Sequence, residues 1–530
     1  MYIQPNSNVF IFHNVPFCEA YEDTMDFSSA SQQWTYLADH YLKYSFNKYS
    51  YQRANKNSIK IEKTCDDLYD CNYMAFVNVA YGNKVFYCFI KEVNYINDNV
   101  TEIVYEIDPI QTWMFEYQLG ECFVEREHTP DDAIGNNLVP ENLDTGDYNC
   151  YYVYNENDQV VDGCEDLKNL CIVLFSTIDE NYQGTGGQFD GRTYSGLYAV
   201  IRNGDGVTRG DGVYFNLNSA GVAACNDWIN NLPILSINAI QMAVIMPRQI
   251  ADITFVQGGQ QIKKNQILLR ADGTQVRNNK CLCYPYNFLY ATNYQGKVAE
   301  YHYEYFTSTS GNCLFNVYGD RTPNPSAVIV PLNYKGISEN YDESLSISNY
   351  PQIAFKVDAF KAWLAQNAST VATSALTMAY VKQGVKAGAK EGMGANILKY
   401  GGVHGVIAGV VGGVSAMIQP PQAHGTQSGA MNISAGQQNI AFMNKRIRPE
   451  YATIIDDYFQ MFGYACHQVK TPTAHNRIKW DYVKTVGCVV HGSLPADEAK
   501  RIKDIYDKGI RFWHYGATMY DYDTANNTVL

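Results

Sequence analysis

Thiol and imidazole side chains near the C-terminal end of the chain are the first candidates for chemistry. Cys466, His467, His475, Cys488 and His491 lie close together in the sequence, and thiolate sulfur and imidazole nitrogen are preferred ligands of Zn²⁺. Their spacings do not match the paired ligands of common zinc modules, and Cys488 lies in the apolar, strand-like run VGCVV. We therefore predict packed residues of a β domain here, with no metal site and no cofactor.

Two pairs of neighbouring carboxylates, Glu125 with Glu127 and Asp456 with Asp457, are candidates for acid–base catalysis. A glycosidase needs two such groups on opposite sides of a cleft, and closely spaced acidic residues are too common to indicate one. The sequence also lacks the Gly-x-Ser-x-Gly nucleophile elbow and the HExxH zinc helix. We therefore predict no catalytic residues and a protein that is not an enzyme.

A glycine-rich run, Gln183–Gln188 (QGTGGQ), follows the strand-like Leu170–Thr177. A phosphate-binding loop ends in Gly-Lys-Ser or Gly-Lys-Thr, which this run lacks, so we predict a surface loop. Arg209-Gly210-Asp211 is the integrin-type tripeptide, but the Gly, Asn and Asp residues around it favour an ordinary turn.

The most unusual feature of the chain is a gap in its charge. Residues 400–444 contain no Asp, Glu, Lys or Arg, and residues 363–381 are also uncharged. The eighteen residues Gly401–Ile418 (GGVHGVIAGVVGGVSAMI) approach the ~20 that a helix needs to cross a bilayer. Six of them are Gly, and each Gly weakens a helix by roughly 1 kcal/mol relative to Ala. This composition is poor for a permanent anchor and favours a segment that changes state.

A ladder of small residues precedes this gap. Gly384, Gly388 and Gly392 are four residues apart, which favours close approach of helices in lipid. The interleaved lysines at 382, 386 and 390 suit an anionic membrane surface. The predicted membrane-active residues are Gly384, Gly388, Gly392, Gly394, Leu398, Gly401, Gly402, Val406, Ile407, Val410, Val411, Gly412, Gly413, Val414, Met417 and Ile418. The alternative from the residues alone is two apolar core helices of an ordinary domain.

Composition restricts the class of protein. The chain has 530 residues, of which 18% are charged and 14% aromatic, including 43 Tyr; this favours folded, β-rich domains. The net charge of −14 and the lack of a long Lys/Arg run argue against tight nucleic-acid binding. The 14 Cys residues are irregularly spaced, and several lie in apolar, strand-like runs, such as Cys88 in VFYCFI; this is typical of reduced, buried thiols made in a cytoplasm. MYIQPNSNVF lacks the features of a signal peptide.

The elements that must position these residues are mainly strands. Apolar residues alternate from Val85 to Tyr95, residues 97–99 (NDN) form a turn, and alternation resumes from Ile103 to Ile107; this predicts a hairpin. Residues 28–49 favour a helix or a mixed segment. Strands broken by Gly-rich turns are predicted over most of 129–360, including a strand near Ile237–Met246.

The clearest predicted helix lies near the C-terminal end. Ser493 can cap it, Pro495 lies near its first turn, and Asp497 and Glu498 favour the positive end of the helix dipole. Gly509 is expected to end it.

Several longer blocks carry a resemblance to a known family. They are YGNKVFYCFIKEVNY (81–95), VYEIDPIQTWMF (104–115), EREH (125–128), YPY (284–286), KRIRPEY (445–451) and the block DYVKTVGCVVHGSLPADEAKRIKDIYDKGIRFWH (481–514). In this order and over nearly the whole chain, the sequence resembles the tail knob, or distal tail tube, proteins of short-tailed phages of the Picovirinae type.

The resemblance implies a mainly β (β-rich α+β), multidomain, tube-forming subunit that assembles as a homo-hexamer with other tail tube and collar proteins. It implies a tube-wall domain from residues 1–128 and 445–530, a peripheral knob domain from 129–270, a central β-rich domain from 271–362 and a hydrophobic loop from 363–444. In the family such loops plug the channel and later form a pore in the host cell membrane. Genomic DNA would pass through the lumen without specific binding.

Two other functions remain open at this point. Tyr and Gly-rich loops in 180–215 could bind host wall carbohydrate, so the knob could serve adsorption. A wall-degrading enzyme is the third interpretation. The expected location is the tip of the phage tail, after synthesis in the host cytoplasm.

Overall fold

A computed structural model describes residues 6–49, 57–161, 260–293, 296–307, 311–319, 327–347, 440–522 and 527–530, with the backbone of five strands between 170 and 354. The chain divides into two units. The first unit contains Met1–Asp144, Leu269–Cys281 and Pro449–Leu530. The second contains Thr145–Leu268 and Leu282–Arg448.

The described strands are numbered in chain order. Those before residue 145 are β1 Ser7–His13, β2 Asp23–Asp26, β3 Leu42–Tyr49, β4 Ser58–Ile61, β5 Cys71–Asn78, β6 Val85–Asn97, β7 Val100–Ile107, β8 Tyr117–Leu119 and β9 Cys122–Glu127. Those of the second unit are β10 Tyr148–Tyr151, β11 Val153–Tyr154, β12 Val160–Val161, β13 Leu170–Ser176, β14 Tyr198–Val200, β15 Phe215–Asn216, β16 Ile240–Pro247, β17 Gln260–Lys263, β18 Asn287–Thr292, β19 Val298–Tyr301, β20 Asn312–Gly319, β21 Ala327–Leu332, β22 Leu345–Ile347, β23 Gln352–Ala354 and β24 Ala441–Ile447. The last four are β25 Tyr464–Lys470, β26 Trp480–Val486, β27 Val490–Gly492 and β28 Ile510–His514.

The described α-helices all belong to the first unit. They are α1 Ala30–Tyr41, α2 Pro109–Trp113, α3 Pro449–Phe462 and α4 Ala496–Lys508. The fold is therefore β-rich with a minority of helix, as the sequence predicts.

The first unit contains a six-stranded sheet in the order β3-β1-β5-β6-β7-β4. The predicted hairpin is its β6–β7 pair, and the Asn97 side chain accepts a hydrogen bond from the Asn99 backbone N–H at 2.9 Å to close the turn. Ile103, Tyr105 and Ile107 are buried, as predicted.

The predicted alternation along β6 is only partly correct. Phe86 is buried as well as Tyr87, because Trp113 of α2 covers the second face of the strand, with ring centroids of Phe86 and Trp113 6.2 Å apart. Beyond a register shift after Ile90 the hairpin tip is solvated, and Tyr95 is 65% exposed. A strand covered on both faces loses the period of two that sequence patterns detect.

The second sheet of this unit joins the two ends of the chain. Its order is β2-β28-β26-β9-β25, and β2 runs parallel to β28 with Asp23 opposite Arg511 and Asp26 opposite His514. Trp480 and Trp513 are fully buried in it, with ring centroids 4.8 Å apart. Burial of large apolar side chains contributes roughly 1.5–3 kcal/mol each, so this pair is a substantial part of the core.

The predicted C-terminal helix is α4, with a corrected start. Its N-cap residue is Pro495, not Ser493, and Gly509 ends the helix with φ +101°. Ile502, Ile505 and Tyr506 face the core. In the same region, Cys488 lies in the connection between β26 and β27, not in a strand as the run VGCVV suggests, because Gly487 adopts φ +69° and turns the chain.

The second unit contains three larger sheets. Their orders are β10-β24-β18-β19, β14-β13-β16-β23 with β15 also paired to β13, and β17-β20-β21-β22. The predicted strands near Leu170–Thr177 and Ile237–Met246 are β13 and β16.

Candidate functional site

The sixteen predicted membrane-active residues, from Gly384 to Ile418, lie outside the described residues, as do Gln183–Gln188 and Arg209–Asp211. The structure instead describes the strands on either side of the segment 355–439. β23 precedes the segment and β24 follows it, and both belong to the second unit. The candidate site is therefore attached to the second unit by two strands that belong to different sheets.

β24 is an interior strand, hydrogen-bonded on both sides. It pairs antiparallel with β10, where Lys445 lies opposite Cys150, and with β18, where Lys445 lies opposite Phe288. Ile440, Phe442 and Ile447 are buried. Two ladders and a buried apolar face hold the C-terminal side of the segment firmly, since each has to break before β24 can leave the sheet.

Side-chain contacts add to this base. The Arg446 guanidinium lies 3.6 Å from the centroid of the Tyr151 ring and donates a hydrogen bond to the Ile267 carbonyl at 2.7 Å. The Tyr303 hydroxyl donates to Asn444 at 3.5 Å. On the N-terminal side, β23 pairs antiparallel with β16, with Ile353 opposite Ala243.

The thiol and imidazole residues do not assemble as one site. The Cys466 thiol contacts the Tyr464 carbonyl oxygen at 3.4 Å, and His467 stacks on Phe123 with centroids 6.0 Å apart. His491 lies on β27, beside β8. Burial raises the pKa of the Cys488 thiol to about 12, which disfavours the thiolate needed for metal binding or nucleophilic attack.

His475 has different neighbours, which the sequence interpretation missed. It lies with Asp26 and His514, and the possible ligand atoms of the three side chains all lie within 4.8 Å of one another. The three residues come from opposite ends of the chain, so no local spacing could have indicated the group.

The first carboxylate pair forms structural ion pairs. Glu125 binds Lys484 with 2.7 Å between the carboxylate and the ammonium, and buried Glu127 binds Lys470. The two acids differ in environment, since Glu125 is 35% exposed and Glu127 is 1% exposed. Glu125 lies at a register shift in the pairing of β9 with β26.

The second carboxylate pair holds one arginine. Asp456 is fully buried and binds Arg270, while Asp457 is 44% exposed and accepts a hydrogen bond from Arg270 at 2.8 Å. Asp456 also accepts from the backbone N–H groups of Arg277 and Asn278, each at 3.0 Å. Such fully used oxygens are typical of a structural network.

One buried imidazole has a carboxylate beside it, as in many acid–base sites. His128 lies 3.7 Å from Asp481. However, its Nε2–H donates to the Gln460 carbonyl at 3.1 Å, and its Nδ1 accepts from the Tyr482 N–H at 2.9 Å. Both ring nitrogens are thus occupied and the side chain is 1% exposed, so His128 has no access to a substrate.

An exposed apolar row crosses three strands of the five-stranded sheet. Phe123 of β9 lies opposite Val469 of β25 and opposite Val486 of β26. The three residues are 38%, 71% and 54% exposed. We call this the β9 row. Apolar residues that are neighbours across a sheet and remain solvated are typical of contact surfaces.

Within the residues that the structure describes, no helix has both the length and the apolar character to cross a membrane.

Comparison with known proteins gives consistent matches along the chain. A family model described as the C-terminal domain of tail knob protein gp9 of Bacillus phage phi29 matches residues 254–527. A second, the N-terminus of caudoviral major tail proteins, matches residues 5–118. The chain is 25% identical to tail knob protein gp9 of Bacillus phage B103, over 99% of this chain and 98% of that protein. It is 23% identical to its counterpart in Bacillus phage phi29, over 96% of each.

A solved structure is similar in fold. The tail knob protein gp12 of bacteriophage C1 aligns with a TM-score of 0.60 at 15% identity, over 99% of this chain and 100% of that one.

Proposed function

Because this chain belongs to the tail knob protein family of short-tailed phages, we propose that six copies form the distal knob of the tail, with the charge-free segment as a plug of the DNA channel. The chain is a structural protein of the virion, located in the tail with other tail proteins. On infection the segment would leave the channel and insert in the host cell membrane as a pore for genome ejection. No catalytic step is part of this proposal.

The charge gap at 400–444 is the observation that carries the proposal. An uncharged, glycine-rich segment of this length exposed on a soluble protein would form a large apolar patch, which soluble proteins avoid. Packing against its symmetry copies in a channel buries that surface, and insertion in lipid buries it as well. The segment thus has two acceptable environments, and a trigger need only change their relative free energies.

The base of the segment supports a change that leaves the rest of the protein folded. β24 is held by its own two ladders and by its buried residues Phe442 and Ile447, which we expect to persist when the preceding residues are changed. The Arg446 contacts with Tyr151 and Ile267 also lie on the C-terminal side of the segment. We therefore expect the segment to be replaceable without unfolding the second unit.

The test is release of dye from vesicles that contain an anionic lipid. The whole protein should cause leakage, and a variant with residues 382–424 replaced by a short Gly/Ser linker should not, while keeping the same oligomeric mass. If neither protein or both proteins cause leakage, the segment does not form the pore and is at most a plug or a packing element. Adsorption through host wall carbohydrate would then be tested by removing 180–215.

A point variant sharpens this test. Val410→Asp places a charge in the middle of the apolar stretch. The charge raises the free energy of inserting the stretch in the membrane by about 3 kcal/mol, which changes the insertion equilibrium by roughly 100-fold. Ala430→Asp is the matched control, since it adds the same charge in the polar Gly/Ser/Gln tract. Leakage should fall for Val410→Asp and remain for Ala430→Asp; equal leakage would contradict a membrane role for the stretch.

The β9 row supports assembly with further copies of the chain. Its exposed residues Val469 and Val486 flank Phe123 on a sheet that also contains the buried core pair Trp480 and Trp513. Burying this row between subunits would recover the hydrophobic free energy that the single chain leaves unused. The net charge of −14 suits a channel that DNA crosses without specific binding, because like charges prevent tight adhesion.

The oligomeric mass tests this assembly. Val469→Asp should reduce the mass from that of a hexamer towards that of the monomer. Ile454→Asp, on α3 and 66% exposed, is the control and should leave the mass unchanged. A Val469→Asp protein that remains hexameric would show that the β9 row is not a subunit contact.

A further inference from the structure

Three side chains with metal-binding atoms meet at the end of the parallel β2–β28 pair. Asp26 is the last residue of β2, and it lies opposite His514, the last residue of β28. His475 reaches them from the connection between β25 and β26. All three belong to the first unit.

The distances between the three side chains suit the binding of one metal ion. Asp26 Oδ2 lies 3.2 Å from His475 Nε2 and 4.0 Å from His514 Nδ1. In a tetrahedral Zn²⁺ site with bonds of about 2.0–2.1 Å, two ligand atoms are separated by about 3.4 Å. The two imidazole rings are nearly parallel, with centroids 5.3 Å apart and 21° between the planes. Small adjustments of the side chains are sufficient to place all three atoms around one ion.

A buried carboxylate sets the tautomer that such a site requires. His514 Nε2 donates a hydrogen bond to Asp481 Oδ2 at 2.9 Å, and the same oxygen accepts from the backbone N–H groups of Asn476 and Arg477. With the proton of neutral His514 held on Nε2, the lone pair of Nδ1 faces Asp26 and His475. A carboxylate that orients a metal-binding imidazole in this way is a common second layer of metal sites.

We propose that Asp26 Oδ2, His475 Nε2 and His514 Nδ1 bind one divalent transition-metal ion, with Zn²⁺ as the reference. Two imidazoles and one carboxylate are a ligand set that Zn²⁺ accepts, leaving a fourth position for water. His475 is 71% exposed while Asp26 and His514 are 20% and 15% exposed, so this position opens to solvent. The ion joins two strands from opposite ends of the chain and the connection before β26.

Titration of Zn²⁺ into the untagged full-length protein, after removal of metal by a chelator, tests the site. Calorimetry should give one ion per chain for the wild type and at least tenfold weaker binding for His475→Ala and for Asp26→Asn. His475→Ala removes an exposed side chain and should fold. With Zn²⁺ about 100-fold above the wild-type dissociation constant, the first unit of the wild type should unfold at a temperature about 5–10 °C higher, and that of either variant should rise by at most about half as much.

His491→Ala is the matched control, because His491 is exposed, lies in the same unit and is not among the three ligands. It should bind Zn²⁺ as the wild type does. The proposal is overturned if the wild type does not bind Zn²⁺, or if both ligand variants retain wild-type affinity. In that case His475 and Asp26 form only a surface ion pair. The result does not depend on the function of the charge-free segment.

Discussion

Acidification should destabilise the first unit through His128. Burial lowers the pKa of this imidazole to about 4, and the positive charges of Arg477 and Arg511 act in the same direction, while Asp481 opposes them. The hydrogen bonds of the ring also favour the neutral form. Nδ1 accepts a hydrogen bond from the Tyr482 N–H, so a proton added to Nδ1 would face that N–H and break this bond. The folded protein therefore keeps His128 neutral at pH values where the unfolded chain protonates it.

The loss of unfolding free energy follows from the difference in the His128 pKa between the folded and the unfolded states. With a pKa of about 4 in the folded state and about 6.5 in the unfolded state, stability is complete above pH 6.5 and is lost as the pH falls towards 4. Between pH 7 and pH 5 the loss is about 2 kcal/mol. Asp108 acts in the opposite direction, because burial raises its pKa to about 6 and the folded state then gains a proton on acidification. A comparison with a variant therefore isolates the effect of His128.

The variant is His128→Gln, which keeps an N–H donor for the Gln460 carbonyl and cannot titrate. Denaturant unfolding, followed by the fluorescence of the buried pair Trp480 and Trp513, should show the wild type losing about 2 kcal/mol more than the variant between pH 7 and pH 5. His491→Gln, an exposed position, should behave as the wild type. Parallel pH profiles for the wild type and His128→Gln would refute the reasoning.

Two further predictions concern matched pairs of positions. Asp456→Ala removes the buried carboxylate that binds Arg270 and accepts from the Arg277 and Asn278 backbone N–H groups, so it should lower the unfolding free energy by about 3–5 kcal/mol. Asp457→Ala, at a 44% exposed carboxylate, should lower it by at most about 1 kcal/mol. Equal losses in urea unfolding would contradict the buried network. Gly463→Ala would force a Cβ into the Glu127 backbone and should lower Tm far more than Gly487→Ala. Gly487 has a similar positive φ, but a Cβ there would meet nothing within 4 Å, so only about 1–2 kcal/mol of backbone strain is expected. Similar Tm values for the two variants would show that steric overlap does not decide the loss of stability.

The sequence predicted elements where one local pattern dominates. The β6–β7 hairpin and α4 were found because alternation, an Asn/Asp turn and a terminal glycine occur within a few residues of each other. α3 was missed, although Pro449 begins it and Ala452, Ile455 and Phe459 share a buried face. The spacing of these residues is helical and could have indicated the helix.

The ligand group of Asp26, His475 and His514 could not be predicted in this way. Asp26 and His514 are neighbours only because β2 and β28 pair, and no pattern near either residue indicates the other. The same is true of Arg270 with Asp456, which are far apart in the sequence and bound together in the first unit.

The sequence by itself determined the β-rich character of the chain, its resemblance to tail knob proteins and the charge-free segment, because composition and periodicity are local properties that no packing can change. Only the tertiary structure decided which strands pair and which polar groups meet. Alternation specifies the buried face of a strand but not its partner, and the partner of β2 lies at the other end of the chain. The contacts of β24, the β9 row and the proposed metal site all depend on such long-range pairing, because each combines residues that only the folded sheets bring together.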